Sequence, residues 1–158
     1  VIETVLVERL AQARYLMCIG RQSSYSLACE AALKIEEIAY MPALAYPAGE
    51  LKHGPITLIE ANIPVLAFSL LDDLLYQKLL ANIREIKMRG GYVVACVFQG
   101  QHELIELADC ALVFPCVAPL LAPMVMMGVV QKIAYHLGKA RGCSIDKPRN
   151  LVKSVTVE

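Results

Sequence analysis

The chain has 158 residues, which is enough for one domain with a core of its own. Its 15 basic residues balance its 15 acidic residues, so no overall electric field would draw it to nucleic acid or to an anionic membrane. Apolar residues make up 57% and charged residues 19%, which suits a sheet covered on both faces or a surface that binds copies of the chain.

The first third of the chain alternates an apolar run with a helical pattern. The run 14–20 ends at a glycine and predicts a buried strand. Ser23 and Ser24 are candidate caps for a helix that extends to about Tyr40. A short strand is predicted at 43–46.

The middle of the chain repeats this alternation. A turn leads into a short helical stretch around His53, and the apolar run 64–70 predicts the next strand. Asp72 is placed to cap a long amphipathic helix that reaches Met88, where two glycines stop it. The run 92–98 predicts a central strand.

The last third predicts a short helix at 103–107, a strand at 110–115 and a long, largely buried helix at 121–141. Continuous apolar strands alternating with helices are typical of a parallel sheet with helices on both faces. We therefore expect a three-layer α/β/α domain with a doubly wound, mostly parallel, five-stranded sheet. The expected division is one domain over 1–145 and a closing tail over 146–158.

The segment 111–131 contains no charged residue and is long enough to suggest a membrane span. Pro115, Pro119 and Pro123 divide it into a short strand, a loop and a buried helix. We therefore expect no membrane insertion.

Six cysteines are scattered along the chain without CxxC spacing, at positions 18, 29, 96, 110, 116 and 143. Cys18, Cys96 and Cys110 fall in predicted buried strands, where a free thiol behaves as a small apolar side chain. A disulfide framework does not suit a chain this long and apolar, so we expect a reducing, cytoplasmic setting. The histidines have no cysteine at ligand spacing, and we expect no metal and no cofactor.

Glu30, Lys34 and Glu37 follow one another at helical spacing, which puts them on one face of the first long helix. One interpretation is a solvated stripe with an ion pair contributing about 0.3–0.5 kcal/mol. The other is a general base with a cation beside it, which moves a proton next to a carbonyl group. The residues alone leave both open.

Two further places could carry chemistry. His53 lies in a loop bounded by Gly54 and Pro55, where it is either a surface histidine or a proton shuttle. The turn 20–24 follows a strand and precedes a helix, so it is either an ordinary turn or an anion site on helix amides.

The final segment does not have the composition of a frayed end. It reads DKPRNLVKSVTVE over 146–158, with a proline that stiffens it, three cations and an apolar-alternating finish. This composition favours a segment that closes over a site.

Taken together, these motifs resemble the glucosamine-6-phosphate synthase family, the isomerizing glutamine–fructose-6-phosphate aminotransferases. The matching stretches are ACEAALKIEEIAY at 28–40, AGELKHGP at 48–55 and the ending at 146–158, and the likeness covers nearly the whole chain in order. It implies a SIS (sugar isomerase) domain, and more narrowly the second, carboxyl-terminal SIS domain of the enzyme.

The resemblance also implies which parts of the enzyme lie outside this chain. These are the glutaminase domain that releases ammonia and the first SIS domain, whose serine-rich loop grips the phosphate of fructose 6-phosphate. The equivalent segment here, 69–73, reads SLLDD and lacks that loop. The expected activity is a share in making glucosamine 6-phosphate. The chain alone should be inactive and should form a homodimer.

Residue by residue, the resemblance implies that Glu37 moves the proton between C1 and C2 and that Lys34 assists it. It implies that His53 opens the sugar ring from the neighbouring subunit and that Lys153 acts in the closing segment. Glu30, Lys34 and Ser154 are the expected substrate contacts.

Two other functions are compatible with such a domain. One is a non-catalytic SIS module that binds a sugar phosphate and regulates a partner domain. The other is a flavodoxin-like redox domain, for which the chain offers no recognisable cofactor loop. The retained Glu37, His53 and Lys153 favour the enzyme.

Overall fold

Short apolar strands alternate with helices throughout the computed structural model, which describes residues 4–151. The strands are β1 (Leu16–Gly20), β2 (Ala43–Pro47), β3 (Pro64–Phe68), β4 (Tyr92–Phe98) and β5 (Cys110–Phe114). The helices are α1 (Thr4–Gln12), α2 (Ser23–Ala39), α3 (Asp73–Met88), α4 (His102–Leu107) and α5 (Ala122–Ala140). Two 3-10 helical segments, Ala48–His53 and Pro55–Leu58, follow β2.

All neighbouring strands of the five-stranded sheet are parallel, in the order β2-β1-β3-β4-β5. The order reverses between β1 and β3, which makes the sheet doubly wound. The predicted three-layer α/β/α fold is confirmed. β4 is one of the three interior strands.

Alternate residues of each strand supply two separate cores. Leu16 and Cys18 face α1, α2 and α5, whereas Met17 and Ile19 face α3 and α4. Because both faces are covered, the interior strands are apolar at successive positions, as expected for parallel sheets. Burial raises the pKa of the Cys18 and Cys96 thiols, so both stay protonated, while Cys110 is only half-buried.

The ends of α2 differ from the sequence prediction. The residue before its first turn is Gln22, whose side chain makes no cap, so Ser23 does not act as one. The Ser24 hydroxyl instead accepts from Arg21 N–H and donates to Arg21 C=O within the turn. The helix stops at Tyr40, which adopts the left-handed conformation at φ 50°. The Asp72 cap of α3 is confirmed, because its Oδ1 accepts from Leu75 N–H at 2.8 Å.

α5 lies against α2 on one face of the sheet. The segment Pro119–Ala140 has the length and apolar composition of a membrane span, and a third of it is buried in the fold. Contact between the two helices is close at Gly138, where an added Cβ would lie 2.7 Å from the Ile38 carbonyl oxygen. Gly128, in the same helix, has open space in that direction.

We expect Gly138→Ala to lower the free energy of unfolding by about 1–3 kcal/mol, because the methyl group would push α5 away from α2. Gly128→Ala is the matched control, which should raise it by up to about 1 kcal/mol through helix propensity. Urea denaturation of both variants and the parent chain measures the difference. Equal effects of the two substitutions would contradict the close packing.

Candidate functional site

One face of α2 carries the predicted acid–base group. Lys34 Nζ lies 2.6 Å from Glu37 Oε2 and 3.7 Å from Glu30 Oε1, so it bridges the two carboxylates. The Lys34 and Glu37 side chains are 30% and 26% exposed. A partly buried ion pair of this length is a charge-assisted hydrogen bond rather than a loose surface contact.

Only one oxygen of the Glu37 carboxylate is engaged by Lys34. Oε1 has no hydrogen-bond partner within residues 4–151. The carboxylate is thus held at a fixed orientation and still has lone pairs to accept a proton, which is the arrangement that a general base needs.

The contact also changes the titration of the lysine. The hydrogen bond to Glu37 raises the pKa of Lys34 above 10.5, although partial desolvation opposes the change and Glu30 adds to it. Because the pKa of Lys34 is higher in the folded chain than in the unfolded chain, its charge adds to stability at pH values below the unfolded pKa. This contribution is lost as the pH rises through the folded pKa. Lys34 therefore carries its positive charge throughout the neutral range.

Glu37 lines an open cleft of about 380 Å³. Leu33 and Glu36 on α2 form one side of it, and residues 149–151 form the other. The beginning of the predicted closing tail therefore lies across the cleft from Glu37. Lys153 and Ser154, the two site residues predicted in that tail, lie outside the described residues.

The loop that carries His53 is fastened to a different part of the molecule. Leu51 is buried in the core on the α3 side, and Lys52 Nζ lies 2.7 Å from Glu85 Oε1 of α3. His53 itself is 75% exposed, with its Nε2 3.8 Å from Glu50 Oε2. The rigid loop thus presents its imidazole to solvent.

Glu37 and His53 lie on opposite faces of the sheet, because α2 packs on one face and the His53 loop on the other. They also belong to opposite ends of α2. Gly49 of the loop lies beside Arg21, just before the helix begins, whereas Glu37 is in its last turn. The fold therefore does not bring this predicted pair together within one chain.

The crevice between β1 and β3, where the strand order reverses, is the usual ligand site of such sheets. It is a cavity of about 160 Å³ lined by Ser23, Ser69 and Asp72, among others. The Asp72 carboxylate already occupies the amino-terminal end of α3, where it would repel a phosphate. The Ser24 hydroxyl is engaged within its own turn. The crevice is therefore poorly suited to an anion.

Two residues at the cleft were missed by the sequence analysis. Tyr40 accepts a hydrogen bond from Arg149 N–H at 2.8 Å, and the Arg149 guanidinium carbon lies 4.2 Å from the centre of the Tyr40 ring. The residues are 109 positions apart, and no periodicity links them. The sequence offered one indication of this contact, namely Arg149 between a proline and an asparagine in the tail.

Comparison with known proteins supports the family that the sequence motifs indicate. The SIS domain model matches residues 9–138. The chain is 45% identical over 153 residues to a glutamine–fructose-6-phosphate aminotransferase (isomerizing) of Thermus thermophilus, covering 97% of this chain and 25% of that protein. A protein of the same name from Methanosarcina mazei is 45% identical over 151 residues, with coverages of 96% and 24%. The chain thus spans about a quarter of the length of these curated relatives.

A solved structure extends the likeness to three dimensions. The C-terminal domain of glucosamine-fructose-6-phosphate aminotransferase from Francisella tularensis matches with a TM-score of 0.84 at 33% identity. The match covers 90% of this chain and 40% of that chain.

We expect Glu37→Gln to lower the titration midpoint of the Lys34 side chain, because the amide removes the charge that raises the lysine pKa. Glu30→Gln is the matched control and should lower it less, since that carboxylate is 3.7 Å away rather than 2.6 Å. NMR titration of ¹³C-labelled lysine between pH 9 and pH 12 measures both. A larger effect of Glu30→Gln would contradict the geometry.

Proposed function

This chain belongs to the SIS domain family, and we propose that it serves as the carboxyl-terminal SIS domain of an isomerizing glutamine–fructose-6-phosphate aminotransferase. In that role it helps convert fructose 6-phosphate and glutamine-derived ammonia into glucosamine 6-phosphate. The observation that carries the proposal is the Glu37 carboxylate, oriented by Lys34 at the edge of a cleft that the tail borders.

Glu37 acts as the base of the isomerisation. Its carboxylate removes a proton from C1 of the open-chain imine and delivers a proton to C2 of the resulting enamine. A second proton passes from O1 to the nitrogen, so that C1 becomes the aldehyde and C2 carries the amine. A single carboxylate can serve both carbons because they are adjacent, provided that it lies within hydrogen-bond reach of each. Oε1 of Glu37, which has no partner among residues 4–151, has the freedom that this step needs.

Lys34 supports this base in two ways. Its hydrogen bond fixes the carboxylate, and its charge offsets negative charge that develops on the substrate. Its raised pKa keeps the ammonium form at every pH at which the enzyme would work. Glu30 holds the lysine from the other side, one helical turn away.

His53 opens the sugar ring in a second copy of the chain. An exposed imidazole on a rigid loop can reach a neighbouring molecule, and an imidazole can both accept and donate a proton. The separation of His53 from Glu37 across the sheet supports a shared site. The working unit in this proposal is a homodimer in the cytoplasm.

Two further parts complete the proposed centre. The phosphate of the substrate is gripped by the first SIS domain, since the crevice of this chain carries Asp72 where an anion would sit. The Asp72 carboxylate also argues against the alternative function, a non-catalytic SIS module that binds a sugar phosphate. Lys153 and Ser154, in the tail, close over the substrate and exclude water.

In the intact enzyme, we expect Glu37→Gln to lower synthesis of glucosamine 6-phosphate at least 100-fold, the scale of lost general-base catalysis. Glutamine hydrolysis should persist, because it needs a different domain. Glu60→Gln is the control, since this exposed carboxylate pairs with Arg14 away from the cleft. Loss of both activities together would contradict the assignment.

Mixing two inactive variants of the intact enzyme tests the shared site. If Glu37 and His53 come from different subunits, dissociated and reassociated Glu37→Gln and His53→Asn enzymes should regain roughly a quarter of the parental activity. Half of the dimers would be mixed, and each would have one intact site of two. No recovery in verified mixed dimers would mean that both residues act within one subunit.

A further inference from the structure

We propose that Tyr40 and Arg149 form a clamp that holds residues 149–151 at the edge of the Glu37 cleft, which makes both of them positioning residues for the isomerisation. The inference rests on the proposed function for its catalytic consequence, but the clamp itself consists of contacts between described residues. The first contact is the hydrogen bond from Arg149 N–H to the Tyr40 hydroxyl oxygen at 2.8 Å. The second is the guanidinium over the ring, 4.2 Å from its centre.

The segment 141–149, which leads to the clamp, is held by hydrogen bonds at both ends. After α5, Arg141 Nε donates to the Ala39 carbonyl, and a second nitrogen of its guanidinium donates to the Ala11 carbonyl, each at 2.9 Å. Eight residues later, Arg149 binds Tyr40, the neighbour of Ala39. The loop 141–149 therefore starts and finishes on two consecutive residues at the end of α2.

The backbone of Tyr40 is consistent with a positioning role. It is left-handed, at φ 50° and ψ 37°, a conformation that usually falls to glycine at the end of a helix. A bulky residue held in that conformation costs free energy, and such outliers persist where the surroundings impose them. In this conformation the Tyr40 ring contacts Arg149, and a glycine at this position could not make that contact.

The clamp is close to the proposed chemistry. Tyr40 follows Glu37 by three residues, which is less than one helical turn, and both line the same cleft. Arg149, Asn150 and Leu151 line that cleft as well. Fixing Arg149 therefore fixes the side of the cleft that faces Glu37.

The test uses the intact enzyme with Tyr40→Phe, which removes the hydroxyl acceptor and keeps the ring, and with Arg149→Gln, which removes the cation. We expect each to lower kcat/KM for fructose 6-phosphate roughly three- to ten-fold, the size of one such interaction. Glutamine hydrolysis should not change. Arg149→Lys, which keeps a cation over the ring, should lose less than Arg149→Gln.

The matched control is Tyr15→Phe. It also removes a phenolic hydroxyl, one that donates to the Leu58 carbonyl, and neither residue lines the cleft. Its kcat/KM should match that of the parent enzyme. If Tyr40→Phe and Tyr15→Phe behave alike, or if Tyr40→Phe lowers glutamine hydrolysis in equal measure, the clamp has no positioning role.

A second measurement does not depend on activity. Trypsin cleavage after Arg149, followed by mass spectrometry, should be several-fold faster in Tyr40→Phe than in the parent enzyme at the same melting temperature. An unchanged rate would overturn the clamp even if the enzyme is active. An enzyme that makes no glucosamine 6-phosphate but shows the faster cleavage would overturn the proposed function and leave the clamp standing.

Discussion

The hydrogen-bonded ion pair between Lys34 and Glu37 is the interaction on which the proposed chemistry depends. A carboxylate on an exposed helical face would normally rotate freely and remain fully hydrated. Here a lysine one turn earlier holds one of its oxygens at 2.6 Å, and the other oxygen has no hydrogen-bond partner in the described part of the chain. The same contact raises the pKa of the lysine, so one neighbour both orients the carboxylate and compensates its charge.

The sheet imposes the second constraint, because it separates residues that the proposed reaction needs together. α2 covers one face and the His53 loop is fastened to α3 on the other, with two layers of buried side chains between them. No side-chain rotation within one chain can bridge a closed core of this kind. The separation gives a physical reason for a site built from two copies, which exposure of the histidine alone would not give.

The end of α2 joins three parts of the chain in a small volume. Glu37 lies in its last turn, Tyr40 ends it in a left-handed conformation, and the residues after α5 return to bind there through Arg141 and Arg149. Because α5 packs closely on α2 at Gly138, these elements form one support. Helix α2 therefore holds both Arg149, near the start of the tail, and the proposed base Glu37. This shared support allows one to be positioned relative to the other.

The parallel α/β fold could be predicted from the order of residues alone, because strands buried on both faces must be apolar at successive positions and helices must alternate with them. The same order predicted that Glu30, Lys34 and Glu37 share a face, since that follows from helical spacing alone. The position of His53 across the sheet from Glu37 and the binding of Arg149 to Tyr40 could be seen only in the folded chain. The separation of Glu37 from His53, 16 positions apart, and the contact of Tyr40 with Arg149, 109 positions apart, depend on how whole elements pack, and no local period in the chain encodes them.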